Sequence, residues 1–376
     1  MQELKNYLSV KDYLNNCFIE REELIDGIMI TLLAQENALL IGPPGTGKSD
    51  IVMSMSSCFN GLKYFQWLLT EFSTPEEIFG AYNLQDLSKG IYRRNTEYKL
   101  PVSHISFLDE VFKGSSAILN SLLTILNERL FYDYGLPQKT PIMSVFGASN
   151  ELPEQGDGLD AINDRFVMRF VVNPIKENNN FKKFLHSKTA NNGITMAPIV
   201  SGKDLATLQN MVLQIKVDAG LVDTIQEIRE ELIQSDIKEP STRRFGKCIR
   251  ILQAAALLDG SNVVDFTHLK VLKNVLWQDI EEKVTVASIV AKYCVDTFTS
   301  TLQAVATRAK DVYENGKNSN TTDNTVESLR KLKEIEKELD SLKSQYPNKE
   351  TKINEEIKKV KEFISLTTES FLATSM

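Results

Sequence analysis

Residues 42–49, Gly42-Pro43-Pro44-Gly45-Thr46-Gly47-Lys48-Ser49, have the spacing G-x-x-x-x-G-K-S. Phosphate chemistry asks for these residue types at this spacing. Glycines let the backbone wrap with its N–H groups inward, a lysine supplies a point charge, and a serine hydroxyl suits a divalent cation. An apolar run, Ala38 to Ile41, precedes the loop, and the apolar-rich stretch Ile51 to Phe59 follows it. That order reads as strand, loop and helix, a context that a chance Gly/Pro turn would lack. The helix beginning near Lys48 adds the positive end of its dipole. Lys48 is expected to reach the β- and γ-phosphates of a bound nucleotide, and Ser49 to ligate Mg²⁺.

A second group of residues supplies what phosphate hydrolysis needs beyond binding. Ile105 to Leu108 reads as a buried strand ending in Asp109-Glu110, where ligands of parallel sheets collect. Asp109 is placed to hold Mg²⁺ through its water shell, and Glu110 to accept a proton from the attacking water or to orient it. Asn150 ends the next expected strand and can bridge Glu110 and that water with a neutral amide; the competing role is a turn asparagine. Arg165 and Arg169 lie in the segment 160–170, where a cation at a subunit edge can enter a neighbour's site. The alternative for Arg165 is an intrachain pair with Asp160 or Asp164. Arg243 and Arg244 follow Pro240-Ser241-Thr242 at a helix start. Adjacent helical residues point about 100° apart, so one of them can face a γ-phosphate, and Arg243 is preferred.

Strands alternating with helices must position these groups. Glu20 to Gln35 is helical in period, Leu62 to Leu69 suits a strand, and Ser73-Thr74-Pro75-Glu76-Glu77 starts a helix. Gly80 to Leu100 is expected to form an inserted hairpin. Ile118 to Leu126 is an apolar helix, and Pro141 to Gly147 is a strand. The expected fold class is therefore α/β, a parallel sheet covered by helices on both faces, over residues 1–185. Leu205 to Ile215, Leu221 to Ile233 and Arg243 to Leu258 are helical and imply an all-α lid domain over 186–280. The region 281–376 continues as helix through Ser288 to Tyr313, then a polar linker at 314–325. Leu329 to Leu342 and Ile353 to Ile364 form a helical hairpin broken at Pro347-Asn348. That hairpin is either a partner-docking arm or packed on its own domain.

Composition sets limits on function. The chain has 376 residues, 42% hydrophobic and 25% charged, with net charge −7. That balance argues against passive binding of nucleic acid over the whole surface. Cys17, Cys58, Cys248 and Cys294 are too scattered to clamp a structural metal. No apolar run reaches bilayer length and the N-terminal segment lacks the pattern of a secretory signal, so a cytoplasmic protein without a membrane segment is expected.

In this order the pieces resemble the MoxR family of AAA+ ATPases, in its RavA-like branch. The resemblance spans about residues 10–280 and rests on Gly42 to Ser49 (Walker A), Phe107 to Glu110 (Walker B) and Asn150 (sensor 1). It extends to Asp164-Arg165 (the arginine-finger site) and Ser241-Thr242-Arg243 (sensor 2). Ser73 to Gly80, Leu122 to Arg129 and Ala148 to Pro153 narrow it further. The resemblance implies ATP hydrolysis in a homo-oligomer, a hexameric ring, with hairpin inserts near 79–101 and 130–140 facing its pore. Tyr92, Phe131, Tyr132 and Tyr134 are then candidates to grip a protein client, the alternative being packing at the hairpin bases. It implies a partner with a von Willebrand factor A domain. RavA-like proteins also carry a compact β-domain, for which the polar linker here leaves no room. The leading reading is a chaperone-like remodeller or maturation factor. A nucleic-acid motor and a nucleotide-gated scaffold with little turnover are the alternatives.

Overall fold

The apolar run before the glycine-rich loop forms strand β1 (Ala38–Ile41), and the loop leads into helix α3 (Lys48–Ser57). All of β1 is buried, as expected of a central strand covered on both faces. A computed structural model describes residues 2–153, 158–189, 200–294, 297–317, 322–345 and 350–374. These fall into two compact units, 1–292 and 293–376.

In the first unit, α1 (Gln2–Cys17) and α2 (Glu22–Ala34) precede β1. After α3 come β2 (Phe59–Asn60), β3 (Tyr64–Leu68), α4 (Pro75–Phe79), α5 (Leu84–Leu87) and β4 (Ile105–Asp109). Helix α4 starts as the sequence suggests. Thr74 and Glu77 close a capping box and Pro75 opens the first turn. Then follow α6 (Ser116–Glu128), β5 (Leu130–Asp133), β6 (Leu136–Lys139), β7 (Ser144–Ser149), α7 (Asp160–Asn163), β8 (Met168–Val171) and α8 (Asn178–Thr189). The main sheet runs β3-β4-β7-β1-β8, and every pairing in it is parallel. That order sets the ends of β4, β7 and β1 side by side, which is where the phosphate loop, Asp109 and Asn150 emerge.

The two inserts differ. Residues 130–140 form a regular antiparallel hairpin, β5 with β6. Residues 80–100 double back on themselves but make no regular two-stranded hairpin: one antiparallel bridge, Tyr82 to Arg94, joins the arms, and the short helix α5 lies between them. The Asn83 side chain accepts from the amides of Gln85 (2.9 Å) and Asp86 (3.3 Å), a local cap that competes with strand pairing. The inserts are nevertheless joined. The Arg94 amide donates to the buried Asp133 carboxylate at 3.0 Å, and Phe131 stacks on Phe79 with centroids 5.6 Å apart. Phe131 is therefore a base residue and not a gripping one, whereas Tyr92, Tyr132 and Tyr134 are exposed.

The helical part comprises α9 (Gly202–Val212), α10 (Ala219–Gln234), α11 (Thr242–Leu258), a 3-10 segment over Phe266–Asn274 and α12 (Glu282–Tyr293). Two-residue strands accompany it, β9 (Val200–Ser201) against β2 and β10 (Lys216–Val217) against β11 (Val263–Val264). Strands this short leave no alternating signature in a sequence. Helix α9 is bonded to α2, with Gln209 donating to the Leu32 carbonyl at 2.9 Å. Residues 190–199, at the front of the expected lid domain, lie outside the described residues.

The second unit is a three-helix assembly of α13 (Thr297–Lys317), α14 (Thr322–Gln345) and α15 (Glu350–Thr374). Leu332, Ile335 and Leu339 of α14 meet Ile353, Ile357 and Val360 of α15, and α13 adds Val305 and Ala309. This corrects two expectations. The helix expected over 288–313 is split between α12 and α13, and residues 314–317 and 322–325 of the expected linker are helical. Gly316 is buried where a Cβ would sit 2.9 Å from Ser328, a close approach that a larger residue would block. Residues 318–321 and the Pro347-Asn348 break lie outside the described residues.

Candidate nucleotide site

The phosphate loop is held open by backbone geometry. Gly45 and Gly47 have φ of +78° and +82°, and a Cβ on Gly42 would stand 2.2 Å from the Val172 carbonyl oxygen. Only glycine suits these positions at little cost. Lys48 is buried, and its Nζ donates to the carbonyls of Gly42 (2.5 Å) and Pro43 (3.0 Å). Burial pulls its ammonium below the ordinary lysine range, and the Asp109 and Glu110 carboxylates oppose that pull. The lysine is thus stored against its own loop as a charge a phosphate can attract.

Pro44, Gly45, Thr46, Gly47, Lys48, Ser49, Asp109, Glu110 and Asn150 line one cavity of about 510 Å³. Pro43 reaches the loop by accepting from Thr46 Oγ1 at 3.0 Å. The Asn150 amide donates to Glu110 Oε1 at 2.6 Å, so an asparagine and a glutamate far apart in sequence meet as the strand order requires. Glu110 has φ +50° and ψ +46°, a left-handed conformation that costs a non-glycine residue about 1 kcal/mol. Strain of this kind concentrates where a side chain must be aimed. Lys113, one turn on, places its Nζ 3.4 Å from Glu110 Oε2. No motif in the sequence singled out that lysine.

Other lining residues were also missed. Cys17 at the end of α1, Phe18 and Ile19 just beyond it, Pro174 and Ile175, and Phe181 and Phe184 on α8 make the apolar end of the cavity. The two phenylalanines stack at 6.4 Å, and their i, i+3 spacing was the available signal. Arg21 fastens this end to the phosphate loop, donating to the carbonyls of Asn173 (2.7 Å) and Thr46 (3.3 Å).

The arginines separate sharply. Arg169, on β8, is fully buried. It donates to the carbonyls of Gln278 (2.8 Å), Trp277 (3.3 Å) and Asn163 (3.1 Å) and to Asn163 Oδ1 (3.0 Å). It is a strut beneath the helical part, and the expectation that it could reach a neighbouring copy is corrected: its guanidinium is walled in on β8. Arg165 is half-buried and donates to the Ala161 carbonyl. Arg243 is partly exposed and pairs with Asp164 at 3.0 Å, whereas Arg244 is buried and donates to the Val275 carbonyl at 3.1 Å. Arg243 does not line the cavity.

Magnesium fits the donors present. The Ser49 hydroxyl and Asp109 carboxylate are hard oxygen ligands on one cavity, a number that suits an ion shared with phosphate oxygens and water. Among the described residues no group of three or more His, Cys, Asp or Glu side chains could hold a metal alone. Also among them, no helix is long and apolar enough to cross a membrane.

A parallel sheet with a glycine-rich loop after β1 and an Asp-Glu pair after β4 defines a P-loop nucleotide-binding ATPase. Comparison with known proteins places it more closely. A family model described as the MoxR domain in the MoxR-vWA-beta-propeller ternary systems matches residues 3–210, and an AAA lid domain model matches 220–290. The chain belongs to the MoxR family of AAA+ ATPases. The match reaches the family and does not describe the narrower RavA-like branch. Two uncharacterised proteins of Methanocaldococcus jannaschii are similar. One is 34% identical over 292 residues (77% of this chain, 75% of the relative), the other 35% over 274 residues (73% and 72%). A structural protein of Acidianus two-tailed virus is 26% identical over 167 residues, 43% of this chain and 27% of that protein. The crystal structure of a candidate ATPase from Cytophaga hutchinsonii superposes with TM-score 0.63 at 16% identity, covering 78% of this chain and 95% of that one. At that identity the likeness speaks for the fold.

Proposed function

We propose that the chain hydrolyses Mg-ATP at a seam between identical copies, in a hexameric ring, and spends the energy on remodelling or maturing a protein client. The observation that supports this best is the convergence of Lys48, Asp109, Glu110 and Asn150 on one cavity, with the Asn150–Glu110 bond already made. Lys48 and the amides of residues 42–49 bind the phosphates. The apolar end at Ile19 and Phe181 takes the base. Ser49 and Asp109 hold magnesium, which when bound neutralises phosphate charge. Glu110 orients the attacking water and takes its proton, and Asn150 keeps the carboxylate aimed. Arg165, at the end of α7, reaches the next copy's triphosphate. Arg243 leaves Asp164 for the γ-phosphate of its own site when the helical part closes. A MoxR domain of the vWA-β-propeller systems suggests a partner with a von Willebrand factor A domain, and the exposed Tyr92, Tyr132 and Tyr134 are the surface offered to a client.

Mixing variants tests the seam. Arg165→Ala should bind ATP normally and hydrolyse it about 10³-fold more slowly. Adding Glu110→Gln chains, inactive by themselves but with Arg165 intact, should restore turnover. No recovery at any ratio would remove Arg165 from its trans role. ATP-dependent assembly, followed by light scattering, checks the ring.

A further inference from the structure

Asp164 is a carboxylate shared at one corner by the sheet and the helical part. It caps the C-terminus of α7 and immediately precedes Arg165. Two hydrogen-bond donors and one further cation from the first turn of α11 and its cap converge on it. The Ser241 hydroxyl donates at 2.7 Å, Arg243 Nη1 lies at 3.0 Å and the buried Arg244 Nε at 3.6 Å. Ser241 also caps α11 by accepting from the Arg244 amide at 3.2 Å. Burial alone would raise the Asp164 carboxyl, but the Ser241 hydroxyl and then Arg244 and Arg243 outweigh it and hold the group below the usual aspartate range. The tie is therefore charged, partly desolvated and directional.

On its other side Arg165 is held by the sheet. The fully buried Asn37, next to β1, donates to the Arg165 carbonyl at 3.3 Å and to the Leu126 carbonyl at 3.1 Å. Asn37 Oδ1 in turn accepts from Arg129 Nη1 (3.0 Å) and from the Val145 amide (3.1 Å). One flank of Arg165 is thus pinned to the rigid core and the other to a helix of the helical part. Burial disfavours the charge on Arg165, and the nearby Arg243 charge adds to that.

We propose that Asp164 is a positioning residue that makes the placement of Arg165 depend on the helical part of its own chain. This rests on the trans role proposed for Arg165. If α11 shifts when Arg243 turns to a phosphate, Ser241 and Arg244 still grip Asp164, and the Asp164-Arg165 turn must follow while Asn37 holds the base of the movement. Packed elements move as units, so a small shift at α11 becomes a discrete change at Arg165.

The test uses the full chain and Asp164→Asn, which keeps the size and a hydrogen-bond acceptor for Ser241 but removes the charge. The expected result is a KM for ATP within about threefold of the native value and a kcat lower by about tenfold. The double variant Asp164→Asn/Arg165→Ala should be no slower than Arg165→Ala alone, because both act through one guanidinium. An unchanged kcat, or losses that multiply in the double variant, would overturn the proposal. Mixed assemblies separate it from the reading beneath it. Glu110→Gln chains should rescue Asp164→Asn as they rescue Arg165→Ala. Rescue of Arg165→Ala alone would mean that Asp164 serves its own site, which defeats the coupling and leaves the trans arginine standing. Rescue of neither defeats both. If Asp164→Asn does not fold, Ser241→Ala takes its place in the same measurements, and the same outcomes support or overturn the coupling.

Discussion

The two units of this chain reach their cores by opposite routes. In the second unit, Leu332, Ile335 and Leu339 pack on Ile353, Ile357 and Val360 from the adjacent helix, and the helical period marks all six. In the first unit, the cavity joins Phe18, Lys48, Asp109, Asn150 and Phe181, which only a folded sheet brings together. The contrast separates what local periodicity can build from what long-range strand order must build. A helical bundle needs a repeating apolar face, whereas a phosphate-cleaving site needs single groups of different chemistry delivered by neighbouring strands.

The largest predicted effect tests the convened site. Glu110→Gln should lower ATP turnover by about 10²- to 10⁴-fold while leaving nucleotide binding intact in a fluorescent-nucleotide titration. Near-native turnover would mean that the convergence on Glu110 is not catalytic. Lys48→Ala should weaken ATP binding by roughly 10- to 100-fold, measured by calorimetry with magnesium present.

The locally built unit calls for a different readout. Leu339→Ala, at a fully buried position, should cost about 2–5 kcal/mol of that unit's stability and leave the Kd for ATP unchanged. A matching loss of ATP affinity would break the contrast between the two units. A smaller effect maps the apolar end of the cavity. Cys17 is exposed and lines it, whereas Cys58 and Cys248 are buried, with burial pushing the Cys248 thiol up to about 12. A maleimide should therefore label Cys17 ahead of both, and ATP should slow that labelling.

The smallest effect is a pH dependence. Asp164 is held below its ordinary value in the folded chain, so its stabilisation is present above the unfolded aspartate value and fades as pH falls through the folded one. The Tm difference between the native chain and Asp164→Asn should thus be widest above about pH 5 and close below about pH 4. A difference that grew on acidification would contradict the sign.

The phosphate loop, the Asp109-Glu110 pair, the alternation of strands and helices, and the apolar stripes of α14 and α15 were all legible along the chain. Those features depend on spacing over a few residues, which backbone geometry translates directly into strand, turn or helix. The same pattern could not rank the arginines. Arg165, Arg169, Arg243 and Arg244 are chemically alike, and their difference is burial: Arg169 and Arg244 have no solvent exposure, whereas Arg243 is partly exposed. Which guanidinium is walled in depends on which helix lies over β8, a matter of packing between elements distant along the chain. The same holds for the Asn150–Glu110 bond, the Lys113 contact and the third helix of the second unit, whose polar end hid its packing until α14 and α15 lay against it. Only folding settles these, because burial and close approach are properties of pairs of elements, and a linear pattern records one element at a time.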